Sequence, residues 1–518
     1  MKNTVHIKLV RLFFLVLLIP VLTNCTKRWE DMNSDPNRLK TIPDGYIFTN
    51  AVRGAFNVTS DLNVVFGGQY AHIYLASIWT RDIDKYNGVS SYDAAESIYV
   101  NIYEGPVKNA VEVMHMTEPG GEYENKYHHA QAELIAITAF QKITDAFGDV
   151  PYSEAGMGKY GITQPKYDRQ EFIYSDMVER LGKVVSVLQE PEAADGVYPA
   201  GVDPVYDGNA SYWVRFANSF RLHLAMRARF ADPAKYEPII KECLALPLIE
   251  NNDQNPTLET SNDPANSSMW NPWYYYIQKI DNGNYELNWG QKFISTLKNT
   301  NDPRLSFFTT KVPSVLNPDD SVYLGIVNGL IDEDYALVNR KKRSVPTREF
   351  FAKDQPIYML TASEVMLYKA EAALFNIVSG DANAIYQDAI RLGMEQWNIN
   401  MDSIENYIQN EPEAALSGSD QEDDFRKIGT QMWISFVPNA YESWCSIRRT
   451  GYPVIPQRTA PNLSKGITNG YMPTRLFYPF TGEMSNNGAN LQEAIDRMPG
   501  GDKIDNKVWW DKRDAPGL

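Results

Sequence analysis

The chain has 518 residues, of which 43% are apolar and 22% charged, and its formal charge is −16. That length supports a large core, and the acidic balance argues against nucleic acid or an anionic membrane surface as a ligand. With only three cysteines it is not a disulfide scaffold, and past the first residues no apolar run is long enough to cross a bilayer as a helix.

Lys2, Lys8 and Arg11 accompany an apolar run from Leu12 to Leu22. The run is too short for a permanent span and reads as an export signal over residues 1–24. Cys25 follows almost at once, as in bacterial lipoproteins, where the signal is removed and the new N-terminal cysteine is acylated. Asn24 stands where Ala, Gly or Ser is usual, and an ordinary signal peptide with an unmodified Cys25 is the alternative. Removal leaves 494 residues with a charge near −19. Attachment then rests on lipid: each buried methylene contributes about 0.8 kcal/mol, so two or three chains hold firmly where one does not. Residues 25–45 are polar, with Asn33-Ser34-Asp35-Pro36-Asn37 in their midst, and suit a flexible tether. The folded body is expected as one domain over 46–518.

Helices are expected at about 46–245 and 357–450. Ala132, Ala136, Phe140, Ile143 and Phe147 form one apolar stripe, and Trp213, Ala217, Phe220, Leu224 and Ala228 form another. Thr361 and Glu364 make a capping-box pattern. Ala370, Ala382, Tyr386 and Ala389, with Gly380-Asp381 between them, match a tetratricopeptide-like helix pair, although a generic helical hairpin accounts for the segment nearly as well. The acidic run Asp420 to Asp424 reads as a solvated helix start. Residues 246–356 are rich in Asn, Asp, Pro and aromatics, and 451–518 in Gly, Pro and Asn. Both are expected as loop-rich insertions, the kind of segment that carries function.

Standard enzyme motifs are missing: there is no Gly-x-Ser-x-Gly, no phosphate-binding glycine loop and no His-Glu-x-x-His. The mature histidines do not space as metal ligands, so no metal and no cofactor are expected, and Cys243 and Cys445 read as buried small hydrophobes. Arg340-Lys341-Lys342-Arg343 reads as a solvated turn. What stands out are aromatic residues in polar loops. Trp79 is followed by Arg81, Asp82 and Tyr86; later come Trp270, Asn271, Trp273, Tyr274, Tyr276 and Trp289. A sugar stacks its C–H face on such rings while Asn, Asp and Arg meet its hydroxyls. For any one ring taken singly, stapling the long loop onto the helices is the alternative.

Several blocks in this order resemble the SusD/RagB family of outer-membrane nutrient-capture lipoproteins, particularly its SusD-like branch two. They are the Asn33–Asn37 stretch, Gly148 to Ala155 (GDVPYSEA), Trp213 to Arg227 (WVRFANSFRLHLAMR), Asn301 to Leu305 (NDPRL), Thr361 to Ala373 (TASEVMLYKAEAA), Glu442 to Pro453 (ESWCSIRRTGYP), Pro473 to Pro479 and Val508 to Asp511. The resemblance implies a mostly α fold of about four tetratricopeptide-like helix pairs with a large loop-rich face. It implies no catalysis, and a SusC-type TonB-dependent outer-membrane barrel as partner. The expected role is capture of oligosaccharides at the cell surface by a lipid-anchored protein. The same role with a peptide ligand, a lipid-anchored glycan-degrading enzyme and a protein-binding helical scaffold are the alternatives. It further implies that the Trp79 and Trp270–Trp289 regions form the ligand face.

Overall fold

The computed structural model describes residues 42–57, 62–75, 81–314 and 319–513. Cys25, residues 26–41 of the expected tether and Trp79 lie outside the described residues, and the tether's last two residues, Asp44 and Gly45, instead open the first helix. Helices dominate. Those of eight or more residues are α1 Asp44–Asn57, α2 Val89–Ile102, α3 Lys108–Thr117, α4 Lys126–Phe147, α5 Gln170–Leu188, α6 Ala210–Ala228 and α7 Pro233–Leu244, then α8 Tyr274–Asp281 and α9 Gln291–Asn299 in the central insertion. The second half adds α10 Ala362–Leu374, α11 Ala382–Glu395, α12 Met401–Asn410, α13 Gln421–Ser435, α14 Ala440–Thr450 and α15 Thr481–Asp496.

Local chemistry fixes many of the helix starts. Asn125, Asn209, Asp232, Thr361, Asp381, Asn400 and Asp420 each accept hydrogen bonds from backbone N–H groups of the turn they precede. A cap of this kind contributes about 1 kcal/mol. Thr361 accepts from Glu364 N at 3.2 Å, the forward half of the capping box, while the Glu364 carboxylate turns to His223 and Tyr368 instead of the Thr361 N–H. Asp420 caps α13 while Asp424, fully buried, receives Ser417 N and Gly418 N at 2.6 and 2.8 Å. The acidic run therefore divides between a solvated cap and a buried loop anchor.

Sequence-adjacent helices pack in pairs: α3 on α4, α5 on α6, α10 on α11 and α13 on α14, with α6 touching α10 to join the halves. This is the tetratricopeptide-like scaffold. Tyr386 fills the space between α11 and its neighbours, fully buried, its hydroxyl donating to Glu413 O at 2.7 Å. Helix α4 is buried on nearly every face, so its polar residues must find partners inside. Lys142 Nζ donates to Ala55 O at 2.7 Å, Gln141 reaches Glu442 at 3.1 Å, and Asp145 accepts from Tyr174 and from Trp510 Nε1. Gly148 closes the helix at φ +86°, a left-handed backbone that favours glycine, and its N–H returns to Thr144 O at 2.7 Å.

The strands are two residues each and pair antiparallel. β1 Tyr74–Leu75 lies on β5 Asn288–Trp289, β2 Val150–Pro151 on β3 Tyr167–Asp168, β4 Thr257–Leu258 on β8 Ile357–Tyr358, and β6 Val312–Pro313 on β7 Ser321–Val322. The β4–β8 ladder closes the base of the central insertion, and β1–β5 ties the insertion to the N-terminal region. The expectation of an irregular tail needs one change, since 451–518 contains the 16-residue α15. Its Asn-Asn-Gly stretch is a poor helix former, and Asn487 is non-helical at φ −138°. Tertiary contacts hold it: Asn487 Nδ2 donates to Pro165 O at 2.8 Å, and Leu491 and Ala494 are buried. Cys243 and Cys445 are both free thiols in the core.

Candidate ligand-binding face

The central insertion carries two layers of rings. The inner layer is core. Tyr74 lies 4.9 Å from Trp289, which stacks on Phe293 at 4.9 Å and 10°, and Trp273 meets Phe351 at 5.2 Å. Trp289 is 0% and Trp273 2% exposed, so neither offers a face to a ligand. The β1–β5 pairing causes this, because it sets Trp289 directly opposite Tyr74 and closes the sheet over both.

The outer layer is accessible. Trp270, Tyr274 and Tyr276 are half-buried and Tyr275 is 46% exposed. Trp270 and Tyr274 meet edge to face at 5.8 Å and 88°. Trp270 Nε1 donates to Asp263 O at 2.8 Å, which fixes the indole plane. The Lys353 ammonium sits 4.0 Å over the Trp270 ring and 5.1 Å from that of Tyr274. Beside them, the Tyr275 hydroxyl donates to Glu286 at 3.1 Å and Lys279 lies 4.8 Å over the Tyr275 ring. The result is a set of partly exposed flat faces rimmed by ammonium and carboxylate groups. That chemistry suits a ligand with an apolar face and a polar edge.

The other expected site residues divide differently. Asn271 is buried and serves the loop itself: its N–H donates to Lys353 O at 2.7 Å, its amide to Gln355 O at 2.6 Å, and its Oδ1 accepts from Trp273 N at 2.8 Å. Arg81 is buried, ion-paired with Asp84 at 2.8 Å and lying 3.8 Å over the Tyr335 ring. Tyr86 is fully buried at φ +61°, with the Arg458 guanidinium 3.4 Å over its ring. Burial pushes its hydroxyl pKa up to about 12 despite that cation. Asp82 is half-buried, 3.4 Å from Lys85. The expectation that Arg81, Tyr86, Asn271, Trp273 and Trp289 face a ligand is therefore corrected. Polar neighbours in sequence suggested exposure, but those neighbours close the loop around them. Lys353 is a functional candidate that sequence reasoning missed, since nothing local to it marks a partner so distant along the chain.

A paired-helix scaffold with an insertion that presents aromatic faces defines a class of ligand-binding proteins. Residues 36–479 match the profile of the SusD-like family, described as starch-binding and associating with the outer membrane, and the chain belongs to that family. Solved structures agree. A chitin-binding protein is 27% identical with a TM-score of 0.77, the match covering 91% of this chain and 100% of that one. A SusD homolog from Bacteroides uniformis is 25% identical, TM-score 0.77, covering 91% and 99%. A chitin-binding SusD homolog from Flavobacterium johnsoniae, at 21% identity and TM-score 0.75, covers 90% and 99% and shares the fold. No curated protein matches the chain.

Proposed function

We propose that the protein is a non-enzymatic, cell-surface lipoprotein that captures oligosaccharides on the Trp270–Tyr276 face and passes them to a SusC-type TonB-dependent barrel. The observation that carries this reading is the outer ring layer, Trp270, Tyr274 and Tyr276, presented by a member of a starch-binding family. Trp79 and Asp82 are further candidate ligand contacts in this proposal, and acyl chains on Cys25 supply the anchor. Covering ~60–100 Å² of ring with a sugar contributes about 1.5–2.5 kcal/mol per platform, so two or three platforms give affinities from about micromolar to millimolar after association costs. Resemblance to a chitin-binding protein makes chito-oligosaccharides the first probe, with malto-oligosaccharides beside them.

Titration calorimetry on the mature protein tests the reading. Trp270→Ala and Tyr274→Ala are each expected to weaken binding about tenfold or more, the loss of one platform. Undiminished binding in both variants would remove the face from consideration. Copurification of the lipidated chain with an outer-membrane barrel tests the partner, and fatty-acid labelling that Cys25→Ala abolishes tests the anchor.

A further inference from the structure

A second cavity lies on the helical scaffold and shares no residue with the aromatic face. It is a cleft of about 470 Å³ between α9, α11, α12, α13 and residues 452–454. That volume falls within the range of small-ligand sites, about 300–1,000 Å³. One wall is α9 with its C-terminal cap, where Lys292, Thr296 and the capping Thr300 recur at four-residue spacing. The opposite wall is α13, with Thr430 and the Arg426–Lys427 pair.

The hydroxyls of this cleft are acceptors. Thr296 Oγ1 donates to Lys292 O at 2.9 Å, Thr300 Oγ1 to Thr296 O at 3.0 Å, and Thr430 Oγ1 to Arg426 O at 2.8 Å. Each proton is engaged on the helix backbone, which leaves oxygen lone pairs for a ligand that brings its own O–H donors. Two of the cations are engaged as well. Arg426 forms a two-pronged pair with Glu413, both bonds 2.8 Å, and Lys427 donates to Ala415 O at 2.8 Å and lies 3.5 Å from Asp423. Lys292 differs. It is half-buried, and among the described residues its ammonium has no carboxylate and no hydrogen-bond partner. Burial lowers its pKa, with no neighbouring acid to oppose the shift. In a chain of charge −16, this is a cation the fold desolvates without compensation.

We propose that this cleft is a binding site for a polyhydroxylated carboxylate, a hexuronate or its short oligomer, with the carboxylate on Lys292 and hydroxyls donating to Thr296, Thr300 and Thr430. Pro453 and Val454 supply an apolar wall for the C–H face of the ring.

Calorimetry on the mature protein with digalacturonate, and with maltose as the neutral control, tests the site. Digalacturonate is expected to bind more tightly than maltose in the cleft and to weaken as salt rises. Lys292→Met is expected to reduce its affinity tenfold or more while the protein melts no lower than wild type. Thr296→Val, which keeps the charge and the side-chain shape, is expected to reduce affinity several-fold. Trp270→Ala is expected to leave digalacturonate binding unchanged, which separates this site from the aromatic face. No binding of digalacturonate, equal binding to wild type and Lys292→Met, or loss of acid binding in Trp270→Ala would each overturn the proposal.

Discussion

Glu442 offers the sharpest test of what holds the scaffold together. Its carboxylate is buried between Arg227 Nη2, which ion-pairs with Oε2, and Gln141 Nε2, 3.1 Å from Oε1, with His223 Nε2 3.9 Å away. Burial by itself would raise the pKa; the charge of Arg227, with His223 and the Gln141 hydrogen bond, outweighs it and brings the pKa from 4.5 to about 2. A depressed carboxylate contributes stability that is fully present above pH 4.5 and is lost as pH falls toward 2. At about 1.36 kcal/mol per pH unit, the whole contribution is about 3 kcal/mol, and about 2 kcal/mol of it is gone by pH 3. Unfolding entropy near 2.1 cal/mol/K per residue, taken over Asp44–Leu518, is about 1 kcal/mol/K, so each kcal/mol moves Tm by about 1 °C. Glu442→Gln leaves Arg227 buried with Asp145, 3.2 Å from Nη1, as its remaining counter-charge, so the cost at neutral pH is the Glu442 contribution of about 3 kcal/mol. The variant is expected to melt about 3 °C below wild type at pH 7, and the gap is expected to narrow by about 2 °C at pH 3 as wild type loses the same interaction. Scanning fluorimetry of both proteins from pH 7 to pH 3 reads this directly. A gap that stays constant across that range would refute the assignment of the pH-dependent stability to Glu442.

Three further outcomes follow from the packing. Trp289→Ala, at a fully buried ring, is expected to cost about 3–5 kcal/mol, whereas Trp270→Ala on the outer layer is expected to cost under about 1 kcal/mol; urea midpoints that reverse this order would contradict the two-layer description. Gly67→Ala would bring a Cβ to 2.5 Å from backbone atoms of Tyr441, and because backbone cannot yield cheaply a loss of about 1–3 kcal/mol is expected in urea melts. His72 is half-buried, and its desolvation, with the charges of Arg458 and Lys292, holds its pKa well below 6.5. The unfolded chain binds a proton there as pH falls below 6.5 and the fold does not, so wild type loses stability in that window. His72→Asn, which tolerates the φ of +55°, is expected to flatten the fall in Tm between pH 6.5 and 5, and an unchanged slope would count against the burial argument.

Much of the fold was legible because its signals are local. Caps such as Thr361, Asp381 and Asp420 need only a neighbouring backbone, and the apolar stripes of α4 and α6 are properties of single helices. The blocks that carried the family resemblance have a physical reason to stay together. Trp213–Arg227 contributes His223 and Arg227, Thr361–Ala373 contributes Glu364 and Glu371, and Glu442–Pro453 contributes Glu442 and Arg449. In the structure, His223 lies 2.8 Å from Glu364, Arg227 pairs with Glu442, and Arg449 pairs with Glu371 at 2.7 Å, all buried. Val508–Asp511 adds Trp510, whose Nε1 donates to Asp145 at 2.7 Å. These buried charges depend on one another, since removing one strands its partner in low dielectric. The recognisable sequence is therefore the wiring of the scaffold, not the ligand face.

The candidate site was legible only as a region. Trp270, Trp273 and Trp289 look alike in sequence, each a ring among Asn, Pro and Tyr, yet Trp270 is half-exposed while Trp273 and Trp289 are core. What separates them is the pairing of Tyr74 with Trp289 and the anchoring of Asn271 to Lys353 and Gln355, contacts between segments far apart along the chain. Lys292 stands free for the same reason: the acids of α13 and its approach loop, Glu413 and Asp423, are already held by Arg426. Helix type, caps and the partners of buried charges follow from chemistry that neighbouring residues write locally. Which ring faces water, and which cation lacks a counter-ion, are settled when distant elements close over one another, because exposure is a property of the packed surface and not of any segment.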